Sequence, residues 1–341
     1  SSTVTARVLG ATVLAAVSTL ASCASVPEKA EPVLLRRAQM HMGTLVTITA
    51  VARTQAAAQA AMTAGFQEIR RLEELLSTWI PTSELSRVNQ AAGREPVKVG
   101  HETMMLVKRS LEVAGLTAGG FNIAIGPAID AWGFYGRSRI PEVSELAALR
   151  PLVELEQVRL DPIAGTVYLA RPGMRIDVGG IGKGFAADLA VEVMKRAGAL
   201  GGVVALSGDM KTFGLVPDET RLVFGIKHPR KEGAILARVD LQDEAISTAG
   251  DYERFFERNG VRYHHILDPR TLQPAHGCQS VTVIASEGTL ADGLDTGIFV
   301  MGPQRGMELV EKLAGVEAII VDQAGHILVS SGLKDRIQIV Q

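Results

Sequence analysis

Six short segments with the β-branched and aliphatic content of strands follow one another at residues 203–206, 222–226, 236–239, 245–248, 262–267 and 281–285. No helical pattern intervenes between them, so the strict strand–helix alternation of a doubly wound parallel sheet is missing. A chain with this order folds as α+β, with mixed sheets and packed helices. Around this block the pattern changes. Residues 45–51 read as a strand, and residues 56–76 carry apolar side chains at helical spacing through Ala60, Ile69, Leu72, Leu75 and Leu76. Ser83 can cap a short helix reaching residue 89, and 102–116 is a further helix before Gly119-Gly120. Glycine, proline and aromatic residues break any period over 121–134, which reads as a loop. Residues 167–170 and 175–178 read as paired strands, followed by a glycine loop and a helix at 185–197. Helices at 289–301 and 304–313 and strands at 318–321 and 327–329 close the chain. No short internal repeat is present.

With 341 residues the chain exceeds the usual single-core size, so two domains or one large unit is expected. Its 35 basic and 37 acidic side chains nearly cancel, which argues against a polyanion-binding surface and against nucleic acid as a partner. Glycine is frequent and aromatics are only 4%, so backbone turns near a ligand weigh more than stacking platforms; a flavin or nucleotide site stays open. Cys23 and Cys278 are the only cysteines and sit in unlike settings, which removes a disulfide framework and a cysteine-rich metal site. Cys278 reads as a small semi-buried thiol.

Arg7 precedes an apolar run over residues 8–20, too short to span a membrane but suited to a signal-peptide core. The run ends in Leu20-Ala21-Ser22-Cys23, which resembles a bacterial lipobox. The expected organisation is therefore a signal peptide at 1–22, a tether at 23–37 and a body at 38–341. Lipid on Cys23 would anchor that body to a membrane outside the cytoplasm.

Three constellations can carry chemistry. Gly179-Gly180-Ile181-Gly182-Lys183-Gly184 lets backbone N–H groups approach phosphate oxygens, with the helix N-terminus and Lys183 adding positive charge. Its spacing matches neither the P-loop nor the dinucleotide fingerprint, and a tight strand-to-helix turn with a solvated lysine explains it equally well. Asp292, Asp295 and Thr296 lie at helical spacing, with residues 292 and 296 four apart on one face. A carboxylate, a hydroxyl and backbone carbonyls are the hard oxygen set that Mg²⁺ takes. The alternative is a solvated polar face, but the helix is otherwise apolar through Leu290, Leu294, Ile298, Phe299 and Val300, which favours a pocket. His264-His265 sits on a strand, where successive side chains point to opposite sides, so one of the pair can face that pocket as a base.

Ordered blocks from Met42 to the C-terminus resemble the ApbE family, the FAD:protein FMN transferases, also labelled thiamine biosynthesis lipoproteins. They are Met42-Gly43-Thr44; Ser77-Thr78-Trp79 with the segment 83–89; Gly126-Pro127 through Trp132-Gly133-Phe134; the segment 177–188; Ser247-Thr248-Ala249-Gly250-Asp251-Tyr252; His265 through Thr271; and Ala291-Asp292 with Thr296. The resemblance implies an FAD-binding α+β fold, with the FAD pocket between two lobes, and a Mg²⁺-dependent reaction. A threonine or serine hydroxyl of a partner protein attacks the FMN-side phosphorus of FAD, and AMP leaves. Acceptors in the family include subunits of respiratory complexes, which fits a lipid-anchored protein of the bacterial cell envelope facing the periplasm. Carried over residue by residue, it implies Met42, Trp79, Ala124, Ile125, Asp177, Lys183 and Ile266 around FAD. The implied metal ligands are Gly180, Asp292, Asp295 and Thr296, and the implied base is His265. Phosphoryl transfer is mostly alignment and charge neutralisation, which a cation, a lysine and backbone donors supply.

This sequence departs from the family pattern at Asn122, where Asp is frequent, at Gly182 for Ala, at Ala249 for Ser and at Leu272 for Gly; Ser207-Gly208-Asp209 replaces Gly-Gly-Asp. None removes a proposed ligand or the base. Two other functions remain to be separated from transfer: a Mg²⁺-dependent FAD pyrophosphatase that gives FMN and AMP, and a noncatalytic flavin-binding lipoprotein.

Overall fold

The strand-rich part of the chain closes into one eight-stranded sheet whose spatial order is also its chain order: Val33–His41, Thr44–Ala52, Gly201–Leu206, Asp209–Gly214, Ala245–Gly250, Cys278–Ala285, Glu317–Asp322 and Ile327–Val329. Every neighbouring pair is antiparallel. This is the outcome the missing strand–helix alternation requires. The computed structural model describes residues 30–214 and 222–340. The expected signal peptide at 1–22 and Cys23 lie outside the described residues. Pro32–Gln341 is one compact unit, and among the described residues no helix is long and apolar enough to cross a membrane.

Among the described residues eight α-helices accompany the sheet: α1 (Gln55–Leu76), α2 (Glu84–Gln90), α3 (His101–Leu116), α4 (Gly126–Trp132), α5 (Val143–Leu149), α6 (Gly182–Arg196), α7 (Gly288–Met301) and α8 (Pro303–Lys312). Side-chain alternation along the strands sorts the two faces of the sheet. Val46, Ile48, Ala50, Val281 and Val283 join Phe66 and Ile69 of α1, Ala190 and Met194 of α6, and Leu294 and Ile298 of α7 in the main core. Ile246, Ile284, Ile319 and Val321 point the other way, onto a three-stranded sheet of Val223–Lys227, Ile235–Asp240 and Ile337–Ile339. Cys278–Ala285 is buried along its whole length because both of its faces are covered. A third cluster gathers Trp132 and Phe134 with Leu267 and Leu272, against the hairpin Phe255–Arg258 and Val261–His264.

Two glycines set how closely α6 and α7 approach. A side chain at Gly184 would collide with the Gly288 carbonyl, and one at Gly288 would sit 2.6 Å from the Gly184 carbonyl. The N-terminal ends of the two helices therefore meet, and both open on the same place.

Several elements differ from the sequence expectation, each for a physical reason. The first strand begins at Val33, inside the stretch expected as tether, because residues 33–41 pair across their full length with 44–52. The segment 121–134 is not an irregular loop. It holds a 3₁₀ turn at Ile123–Ile125 and then α4, with Pro127 in the first turn and Gly133 ending the helix in the left-handed region at φ +70°. Residues 175–178 form no strand. Thr166–Leu169 pairs instead with Val158–Asp161 and Val97–Lys98. The place of a strand partner is taken by Asn89, whose amide donates to the Ile176 carbonyl (3.0 Å) and accepts from the Ile176 N–H (2.8 Å). The expected strand over 262–267 breaks between His264 and Leu267.

Candidate active site

The N-terminus of α7 is anchored from α6. Asp188 accepts from the Gly288 N–H (2.7 Å), from the Thr289 N–H (2.9 Å) and from the Thr289 hydroxyl (2.6 Å), and pairs with Lys211 (2.7 Å). This cap from a neighbouring helix, rather than a local one, fixes which side of α7 faces the sheet. Asp292 and Asp295, one turn apart, are turned inward and buried at 5% and 2% exposure. Asp292 Oδ2 accepts from the Gly184 N–H at 2.9 Å. Asp209 opens its strand directly after the Ser207-Gly208 turn and brings a third carboxylate. One oxygen from each of the three lies within 4.8 Å of the others.

Burial comes first among the causes that push all three carboxyls up, far above the usual carboxylate range for Asp292 and Asp295. Repulsion adds to it: Asp209 acts on Asp292, and Asp292 and Asp209 act on Asp295. Three like charges cannot share so small a buried space without a countercharge. A hard divalent cation supplies one, and an all-oxygen donor set suits Mg²⁺ rather than a softer metal. The Thr296 hydroxyl donates to Asp295 Oδ1 at 3.1 Å. A Cβ at Gly180 would sit 3.7 Å from the same hydroxyl. Gly180, Asp292, Asp295 and Thr296, expected together from the sequence, are thus neighbours. Asp209 was not expected as a ligand. Its signal was present in the Ser-Gly-Asp block, but a short turn between strands gives no sign of what it faces across the fold.

Lys183, half-buried in the first turn of α6, contributes positive charge that lowers the carboxyls of Asp209, Asp292 and Glu253 and also the ring of His265. It therefore stands among these groups, beside the positive end of its helix. Glu253 is a second group absent from the sequence expectation. The residue is exposed, yet burial of its carboxyl and repulsion by Asp209 push it up to about 7.

The two histidines part company. His264 is buried against the edge of Phe299, its Nε2 lies 2.8 Å from the Ala275 carbonyl and its Nδ1 accepts from the Ile266 N–H at 3.2 Å. Both ring nitrogens are used, which fixes a neutral structural tautomer. His265 is half-exposed and bonds through Nδ1 to the Arg254 carbonyl at 3.2 Å. Desolvation, then His264, push it down to about 4, so its ring is neutral at pH 7. With Nδ1 donating to a carbonyl, Nε2 is the basic atom.

The other residues implied around FAD range from exposed to fully buried. Trp79 is 73% exposed and meets Tyr135 edge-on at 5.9 Å, and the Arg254 guanidinium lies over the Tyr135 ring at 4.2 Å. Asp177 accepts from the Gly179 N–H (2.7 Å) and from Arg175 (3.3 Å); burial first, and then the Asp177 charge, pushes the Tyr135 hydroxyl up. Met42 occupies the left-handed region at φ +52° in a two-residue turn with Gly43, and its Cε lies 3.9 Å from where a Gly182 Cβ would be. The Ala124 N–H donates to Asn122 Oδ1 at 2.7 Å, so the Asn122 departure keeps a capping role. The Ile266 N–H is held by His264 and its carbonyl accepts from Ala275, so this backbone is engaged within the chain. Ile125 ends the same 3₁₀ turn as Ala124.

A profile of the ApbE family matches residues 42–320. The FAD:protein FMN transferase of Treponema pallidum (strain Nichols) is 33% identical over 321 residues, 89% of each chain. That of Klebsiella pneumoniae (strain 342) is 32% identical over 270 residues, 78% of this chain and 83% of the relative. Among solved structures, the ApbE protein of Thermotoga maritima superposes with a TM-score of 0.82 at 31% identity, covering 89% of this chain and 99% of that one. The flavin transferase ApbE from Vibrio cholerae gives 0.79 at 28% identity, with 89% and 99% covered.

Proposed function

This chain belongs to the ApbE family and is an FAD:protein FMN transferase, and on that premise we propose how its residues divide the work. Asp209, Asp292 and Asp295, with Thr296 and the Gly180 carbonyl, would hold Mg²⁺, which would supply the charge that neutralises the pyrophosphate of FAD. Lys183 and the N-terminus of α6 supply the remaining positive charge on the phosphate side. His265 Nε2 takes the proton of the acceptor hydroxyl as that oxygen forms its bond to the FMN-side phosphorus, and the bond to AMP breaks. Its neutral ring is the protonation state this step needs. Trp79, Tyr135, Met42 and Asp177 border the flavin nucleotide. The acceptor is a serine or threonine of a partner protein, and the family resemblance points to respiratory-complex subunits. The Leu20-Ala21-Ser22-Cys23 sequence supports a lipid-anchored location in the cell envelope.

The observation that carries this reading is the meeting of Asp209, from the strand Asp209–Gly214, with the buried Asp292 and Asp295 of α7 and with Lys183, which also acts on the half-exposed His265. The test is incubation with FAD, Mg²⁺ and a candidate acceptor domain. Flavin that stays on the acceptor through denaturation is the expected result. Free FMN and AMP alone point to a pyrophosphatase, and retained FAD with no AMP released points to a flavin carrier.

A further inference from the structure

Ser247 lies in the middle of the strand Ala245–Gly250 and is 2% exposed. Alternation puts it on the same side as Ala245 and Ala249, which belong to the core under the helices, and opposite Ile246, which faces the small sheet. Its hydroxyl oxygen is 2.7 Å from Asp209 Oδ1, 2.6 Å from Asp295 Oδ2 and 3.5 Å from Asp292 Oδ1. One side chain thus touches carboxylates from the start of the strand Asp209–Gly214 and from two positions of α7. No other residue bridges these elements at the carboxylates in this way among the described hydrogen bonds.

We propose that Ser247 is a positioning residue for the cation: its hydroxyl lies between Asp209 Oδ1 and Asp295 Oδ2, gives its one proton to either of them, and so fixes the spacing of the two carboxylates around the metal. This rests on the cation reading above. Asp295 Oδ1 is met by the Thr296 hydroxyl, a proposed ligand, and Asp292 is held by the Gly184 N–H through Oδ2, which leaves Oδ1 on the Ser247 side. A serine has a single proton to donate, so it cannot satisfy two carboxylates at once. A hydroxyl there makes sense as a hinge between ligands whose charge is met elsewhere. Hydrogen bonds to ligating carboxylates typically change metal affinity by about 10–100-fold.

The test measures Mn²⁺ binding by the full protein without FAD, following free Mn²⁺ by electron paramagnetic resonance, together with Tm in EDTA. Ser247→Ala is expected to raise the Mn²⁺ Kd by about tenfold or more while Tm in EDTA stays at the wild-type value. Ser247→Thr keeps the hydroxyl and retains the affinity, whereas Ser247→Val, of the same shape without it, does not. The Thr and Val pair decides the matter if the alanine variant does not fold. Equal Mn²⁺ affinity for Thr and Val, or a loss for Ala that tracks a lower Tm in EDTA, overturns the proposal. If wild type itself binds no Mn²⁺, the cation reading falls instead.

Discussion

Asp292 and Asp295 are almost fully buried on a helix capped from its neighbour, whereas Trp79 is 73% exposed and its ring contact is with the edge of Tyr135. The carboxylates proposed to face a small hard ion are met by the Gly184 N–H and by the Ser247 and Thr296 hydroxyls. On the proposed reading the aromatic side receives a large flat group and then lets it go. Stacking and a guanidinium over a ring tolerate small displacements that a coordination shell does not. The largest test of this contrast is Asp292→Ala. Loss of a ligand that also fixes the start of α6 is expected to lower Mg²⁺-dependent AMP release on the order of 10³-fold. Full activity with an unchanged Mg²⁺ dependence would refute the assignment.

Next in size comes the histidine pair, where the same contrast is compressed into adjacent residues. His265→Ala is expected to reduce transfer by about 10²–10⁴-fold with FAD binding and Tm retained. His264→Ala removes a buried ring that bonds to Ala275 and Ile266, so it should cost about 1–3 kcal/mol of stability and affect chemistry less. The reverse pattern would mean that the strand presents the other ring. The pH dependence follows from the sign of the shift. His265 is pushed down to about 4 from an ordinary 6.5, so the folded protein keeps it neutral where the unfolded chain is protonated. Stability from this group is therefore present above pH ~6.5 and is lost as pH falls toward 4, and the base form persists throughout that window. The acid limb of kcat/KM is expected nearer pH 4 than 6.5; a limb at 6.5 would show that His265 is not the controlling group in the free enzyme.

On the exposed side the effects shrink. Trp79→Ala is expected to raise KM for FAD by roughly tenfold, as loss of one stacking contact does, with kcat and Tm little changed. A fall in Tm would show that the indole supports the fold rather than the ligand.

The same division separates what the sequence reveals from what it hides. Periodicity located α1, α7 and most strands because those segments bury a regular face. It missed Val33–His41, where Arg36, Arg37 and Gln39 interrupt the apolar pattern of a strand at the sheet edge. It misread 175–178, since a side-chain amide from Asn89 stands in for a strand and leaves no periodic trace. Asp292 and Thr296 were visible because a helix brings i and i+4 together. Asp209 and Ser247 reach the same point only through the order of the sheet, a relation that no local spacing encodes.

The smallest prediction concerns the turn that delivers Asp209. Leu206 and Asp209 pair across Ser207-Gly208, and Ser207 stands at φ +56°, in the left-handed region where the family pattern has glycine. A side chain there costs about 1 kcal/mol relative to glycine. The Ser207 N–H is bonded to the Leu45 carbonyl, a contact glycine keeps. Ser207→Gly should therefore raise stability by up to about 1 kcal/mol in denaturant titration and leave Mg²⁺ dependence unchanged. A gain in stability accompanied by weaker cation binding would show instead that the strained turn is needed to aim Asp209, extending the rigid side of the site by one residue into the loop.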